Sequence, residues 1–146
     1  MTALEEDSTA LPAADRRVAD GDAHICDGGI LVWFQASGVM RVKLPEHTDV
    51  AGKHAAAAAE VVRSLAAGRK YPILLDLTRV RSVSRHARTF YGKPEMASAY
   101  ALLGEGPVDR VLAHYFLGGI PEGVPANFFE SESDALQWLG SICNES

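Results

Sequence analysis

Apolar residues fall in short blocks separated by glycine, proline or charged positions, and the spacing within the blocks changes along the chain. Three early blocks, Ala23–Cys26, Ile30–Ala36 and Val39–Leu44, are broken by Gly28-Gly29 and Ser37-Gly38. Val, Ile, Trp and Phe favour extended backbone, and glycine supplies the positive φ of tight hairpins, so this segment reads as an antiparallel meander. In the second block, alternation places Leu31, Trp33 and Gln35 on one side and Val32, Phe34 and Ala36 on the other. Both sides are largely apolar, which predicts a strand covered on two faces over part of its length rather than a bare edge.

Beyond Pro45 the period lengthens. Thr48 or Asp49 can cap a helix that runs to about Ala67 and closes at Gly68, with Val50, His54, Ala57 or Ala58, Val61 and Leu65 inward and Lys53, Glu60 and Arg63 outward. The run Ala55–Ala59 allows this helix to lie close against a sheet. Tyr71–Leu77 then reads as a buried central strand, because Ile73-Leu74-Leu75 is continuously apolar, as expected where helices cover both faces.

Ser82 or Ser84 is placed to cap a short helix, Arg85–Tyr91, ended by Gly92 and Pro94. A strand over Ala97–Leu103 leads through Gly104-Glu105-Gly106 into a helix from Pro107 to Leu117. A last strand, Pro125–Glu130, precedes a helix from Glu132 to about Ile142, and Ser131 with Asp134 forms an acidic variant of the capping box. The order is β-β-β-α-β-α-β-α-β-α, which implies an α/β fold whose sheet is parallel in its carboxy-terminal part.

The chain of 146 residues, 47% apolar, has the length of one domain over residues 23–146. Residues 1–22 are rich in Ala, Asp and Glu, lack a sustained period, and read as a mobile arm. The start is acidic and without an apolar leader core, and no run reaches the roughly 18 apolar residues of a membrane span, so a cytoplasmic protein is expected. Net charge of −5 argues against nucleic acid and membrane surfaces as partners. Cys26 and Cys143 lack metal-binding or redox spacing and read as reduced structural thiols, a disulfide between them being the remaining case.

One window runs against this acidic background. Between Arg69 and Lys93, seven bases face the single acid Asp76, a local charge of +6. Such a reversal marks a place where a protein partner or an anionic ligand can dock.

The Leu74-Leu75-Asp76-Leu77-Thr78 strand end, the helix starting near Ser84, Arg85-His86-Ala87-Arg88, and the closing Ala135-Leu136-Gln137-Trp138-Leu139 resemble an uncharacterised branch of the bacterial STAS-like proteins, the fold of anti-sigma factor antagonists. The resemblance covers about residues 23–142 in outline and rests on these short tracts. It implies a STAS-like (SpoIIAA-like) α/β fold, a mixed sheet with helices packed on it, acting as a non-enzymatic regulatory or protein-interaction module. In the antagonists, the turn after the central strand holds a phosphorylated Ser within Asp-Ser-Ser/Thr-Gly-Leu. The aligned residues here are Ser84-Arg85-His86-Ala87-Arg88, so the motif is absent and the kinase switch does not carry over intact. Ser82 and Ser84 serve as capping or turn residues, or accept phosphate beside the arginines.

The interaction or anion-binding candidates are therefore Arg79, Arg81, Ser82, Ser84, Arg85, His86 and Arg88. They could also form a solvated face paired with acids elsewhere in the chain. Phe90, Tyr91, Tyr100, Tyr115 and Phe116 are candidates for an apolar pocket, the alternative being a carrier or sensor of a small anionic or amphiphilic ligand; ordinary core packing accounts for most of them as well. No cofactor, metal site or catalytic group is indicated. The five histidines lack ligand spacing, Gly104-x-Gly106 lacks a third glycine, and His47, Asp49 and His54 read as a capped helix start. A homodimer through the Ala-rich helix or an exposed strand edge is compatible with the pattern.

Overall fold

The computed structural model describes residues 23–35, 37–91 and 97–144. The arm expected over residues 1–22, the helix stop at Gly92 and Pro94, and the side chains of Tyr91 and Cys143 lie outside them.

The meander forms as its turns dictate. β1 (His24–Ile25), β2 (Leu31–Phe34) and β3 (Met40–Lys43) pair antiparallel, with His24 opposite Val32 and Val32 opposite Val42. Gly28, at φ 83°, sits against His54, where an added Cβ would lie 2.5 Å from the imidazole. The remaining strands β5 (Ile73–Asp76), β7 (Tyr100–Leu103) and β8 (Ala126–Phe129) extend the sheet in parallel, in the order β1-β2-β3-β5-β7-β8. Two short strands, β4 (Asp49–Val50) and β6 (Ser82–Val83), form a separate parallel pair that the hydrophobic pattern did not predict.

Four helices complete the fold: α1 (Gly52–Ala66), α2 (Arg85–Tyr91), α3 (Gly106–Leu117) and α4 (Glu132–Asn144). Alternation along the strands divides the interior in two. Val32, Met40, Val42, Ile73, Leu75, Tyr100 and Leu102 face α1, α2 and α3 in the larger core. Leu74, Ala101 and Leu103 face the other way, against Ala135 and Leu139 of α4. A strand loaded on both faces explains the unbroken Ile73-Leu74-Leu75 run, since all three are fully buried.

The expected start of α1 is corrected. Asp49 is extended in β4 and its carboxylate accepts from Ser82 Oγ at 2.6 Å, while Thr48 Oγ1 donates to the Pro45 carbonyl. The N-cap is Ala51, whose N–H donates to His54 Nδ1 at 3.2 Å. The inward face is displaced as well: Gly52, Ala55, Ala58, Ala59, Val62 and Ala66 are the buried residues, with Val61 and Leu65 at the margin. Small side chains let the helix approach the sheet and α2 closely, so the alanines rather than the larger residues take the inner positions.

Candidate interaction surface

Past the ends of β3 and β5 the chain makes two side-by-side excursions, residues 45–50 and 79–84. The His47 N–H donates to the Arg79 carbonyl at 2.7 Å, Arg81 N–H to Thr48 at 2.9 Å, and Ser84 N–H to Val50 at 2.9 Å. His47 and Arg79 both hold left-handed backbone, φ 61° and 59°, which a side chain with a Cβ adopts at a cost. Asp109, in the first turn of α3, braces this strained point. Its buried carboxylate accepts the Arg79 N–H at 3.2 and 3.3 Å and the Glu105 N–H at 2.8 Å. Gly104 is required beside it, because a Cβ there would lie 2.7 Å from Asp109 Cβ.

The side chains on this frame fall into two groups. Arg79 pairs with Glu105 at 3.3 Å and Glu46 at 3.8 Å. Arg81 reaches Asp49 at 3.4 Å and donates to the His47 carbonyl at 2.8 Å, while Ser82 Oγ donates to the same Asp49. Three acids from two other segments, Glu46 and Asp49 in one and Glu105 in the other, thus offset part of the positive window read along the sequence. These pairs are exposed, each worth about 0–1 kcal/mol, so they orient the side chains more than they stabilise the fold.

The second group lies on α2. Ser84 is its cap, accepting the Ala87 N–H on Oγ at 3.0 Å. Arg85 is exposed and, among the described residues, has no ion-pair partner. His86 is also exposed and stands over Gly52, where a Cβ would lie 2.4 Å from its Nδ1; its ring centroid is 5.5 Å from that of Phe90. Arg88 plays a different part. Its guanidinium lies 4.6 Å over the Tyr115 ring and its chain crosses Gly119, where a Cβ would lie 2.6 Å from Nε. It therefore binds α2 to α3, and a shallow hollow of about 400 Å³ opens between Arg85, Arg88, Thr89 and Gly119.

The structure gathers Arg81, Ser82, Ser84, Arg85 and His86 on one exposed corner and leaves Arg79 beside it, turned toward Glu46 and Glu105. The aromatic candidates are dispersed. Tyr100 and Phe116 are 1% and 2% exposed within the larger core, Phe90 packs at its edge, and Tyr115 carries Arg88. Among the described side chains, neither Phe90, Tyr100, Tyr115 nor Phe116 lines the α2 hollow.

Among the described residues, no three His, Cys, Asp or Glu side chains converge as a metal site, and no helix is long and apolar enough to cross a membrane. Gly104 and Gly106 form a strand-to-helix turn ahead of Pro107. Cys26 is a free thiol that partial burial pushes above its ordinary value of 9.0, against the thiolate.

This mixed sheet, with three helices on one face and one on the other, shares its fold with solved SpoIIAA-like proteins. The chain resembles an uncharacterised DUF3478-family protein of that fold from Shewanella loihica PV-4, at 20% identity and TM-score 0.56 over 81% of this chain and 98% of that one. It also resembles an anti-sigma factor antagonist from Mycobacterium paratuberculosis, at 17% identity and TM-score 0.51 over 76% and 92%. The fold expected from the STAS-like resemblance is borne out. The family model described as "Domain of unknown function (DUF7793)" matches residues 32–143, and the chain belongs to that family. A protein of unknown function from Arthrobacter sp. FB24 shares 39% identity over 75% of this chain and 92% of that one, with a TM-score of 0.31. No curated protein matches the chain.

Proposed function

We propose that this chain is a non-enzymatic regulatory module that binds another protein through the β6–α2 corner, residues Arg81 to Thr89. The observation that carries this reading is the continuous exposed ridge of Arg81, Ser82, Ser84, Arg85 and His86 on a braced backbone, with Arg85 unpaired among the described residues. A rigid ridge that presents cations loses little entropy on binding and favours an acidic partner surface. One structural neighbour is an anti-sigma factor antagonist, which makes regulation by protein contact a natural use of this fold. With Arg85 and His86 standing in the phosphoacceptor positions of that family's motif, recognition here works by charge and shape.

The test is charge reversal at side chains that the fold does not need. Arg81→Glu combined with Arg85→Glu keeps the thermal midpoint within a few degrees, because what is lost is one exposed ion pair with Asp49 and one exposed hydrogen bond to the His47 carbonyl. The variant then fails to retain the protein that co-purifies with the wild type from its own cells. Equal retention of the same protein by both would refute the reading. Arg88 is unsuited to this test, since its removal also breaks the Tyr115 contact.

A further inference from the structure

Beneath α4, on the face of the sheet away from α1, α2 and α3, lies a cavity of about 580 Å³. It sits at the amino ends of β3, β5 and β7, where Val39, Pro72 and Ser98 lead into the strands, and it falls within the roughly 300–1,000 Å³ typical of small-molecule sites. We infer that this cavity binds a small amphiphilic carboxylate, with the tail under Leu136 and Leu139 and the head group at Lys70.

Three observations support the assignment. Val39, Leu136 and Leu139 give the cavity an apolar wall, and no Asp or Glu is among the described residues that line it. Its polar groups include strong donors: Lys70 is exposed without an ion-pair partner among the described residues, and the Ser98 hydroxyl is also exposed. Gln35 adds an oriented amide. Its Oε1 accepts from Arg41 at 3.1 Å, which turns its NH2 donors away from that bond, and Arg41 is itself 9% exposed, tied to Glu132 at 3.3 Å and placed 5.1 Å over Trp33. A donor held by a buried guanidinium is fixed before any ligand arrives. One ammonium aided by neutral donors matches a monoanion, hence a carboxylate.

The third observation is Gly140. Glycine is the poorest ordinary residue inside a helix, yet it stands within α4, lines the cavity, and has nothing within 4 Å of where a Cβ would be. Its missing side chain leaves the mouth open.

The experiment titrates the full chain with octanoate and decanoate, below their micellar concentrations, following the thermal midpoint and backbone amide shifts. Binding to the native state alone raises the midpoint saturably, with the largest amide shifts at Val39, Leu136 and Leu139. Lys70→Glu weakens decanoate at least tenfold, Gly140→Leu abolishes binding while retaining the wild-type circular dichroism, and decylammonium gives no saturable shift. The absence of a saturable response in the wild type, an equal response to decylammonium, or wild-type affinity in Gly140→Leu would each overturn the inference. The β6–α2 corner lies on the other face of the sheet, so charge reversal there leaves decanoate binding unchanged and failure of one proposal is separable from failure of the other.

Discussion

Replacing Asp109 by alanine removes one carboxylate that grips two backbone amides while leaving its Cβ packed on Gly104. An amide bonded to a charged group contributes about 1.5–3 kcal/mol net. The Glu105 bond, at 2.8 Å, belongs in the upper part of that range, whereas the Arg79 contacts, at 3.2 and 3.3 Å, belong at the bottom because water can reach an exposed residue. The expected loss for Asp109→Ala is about 4 kcal/mol, a large part of the roughly 5–15 kcal/mol that holds a domain together. With a urea slope of about 2 kcal/mol per molar, the midpoint falls by about 2 M and the slope is unchanged. Asp109→Asn, which can still accept through one oxygen, loses about half as much. Arg79→Gly serves as the control: it relieves about 1 kcal/mol of left-handed strain, gives up surface pairs worth about 0–1 kcal/mol, and so stays near wild type. An Asp109→Ala variant within about 0.5 kcal/mol of the wild type would show that the carboxylate does not hold this loop.

Three further outcomes follow from close contacts and burial. Gly140→Ala raises stability by about 1 kcal/mol in chemical denaturation, since the site is helical and open; a loss would mean that the space is occupied. Gly104→Ala lowers stability by about 1–3 kcal/mol, because Asp109 Cβ, Leu77 and Phe128 all stand within 3.2 Å of the new methyl; an unchanged midpoint would contradict this packing. In a Cys143→Ser background, Cys26 alkylates more slowly in the native state than after unfolding at pH 8–9, because its raised value leaves less thiolate. The linked stability is fully present below 9.0 and is lost as pH rises through the higher native value. Equal alkylation rates in the two states would contradict the burial.

Much of the fold was legible because local and global demands agree. Period-2 blocks broken by glycine form the meander, and the Ile73-Leu74-Leu75 run marks the strand that is buried on both faces. Ser84 and Ser131 act as caps, the latter accepting the Asp134 N–H at 3.2 Å. The small β4–β6 pair was not legible, since strands of two residues carry no periodicity. Without it, Asp49 reads as a helix cap, a role favoured by propensity until a partner 33 residues away takes its carboxylate. Which acids pair with the charge window was not legible for the same reason. Arg79 and Arg81 look free along the chain, and only the fold brings Glu46, Asp49 and Glu105 to them. Asp109 resembles any acid in a first helical turn, and nothing local distinguishes a buried brace from a solvated charge.

The most direct test of the β6–α2 corner places a photo-crosslinking amino acid at residue 85, with a control at residue 60, where Glu60 is exposed on α1. Irradiation in the native cells is followed by mass analysis of the adducts. The account predicts a defined protein adduct at 85 that is absent at 60 and is lost when Arg81→Glu is added. Adducts of the same protein in equal yield at both positions, or no adduct at 85, would contradict it.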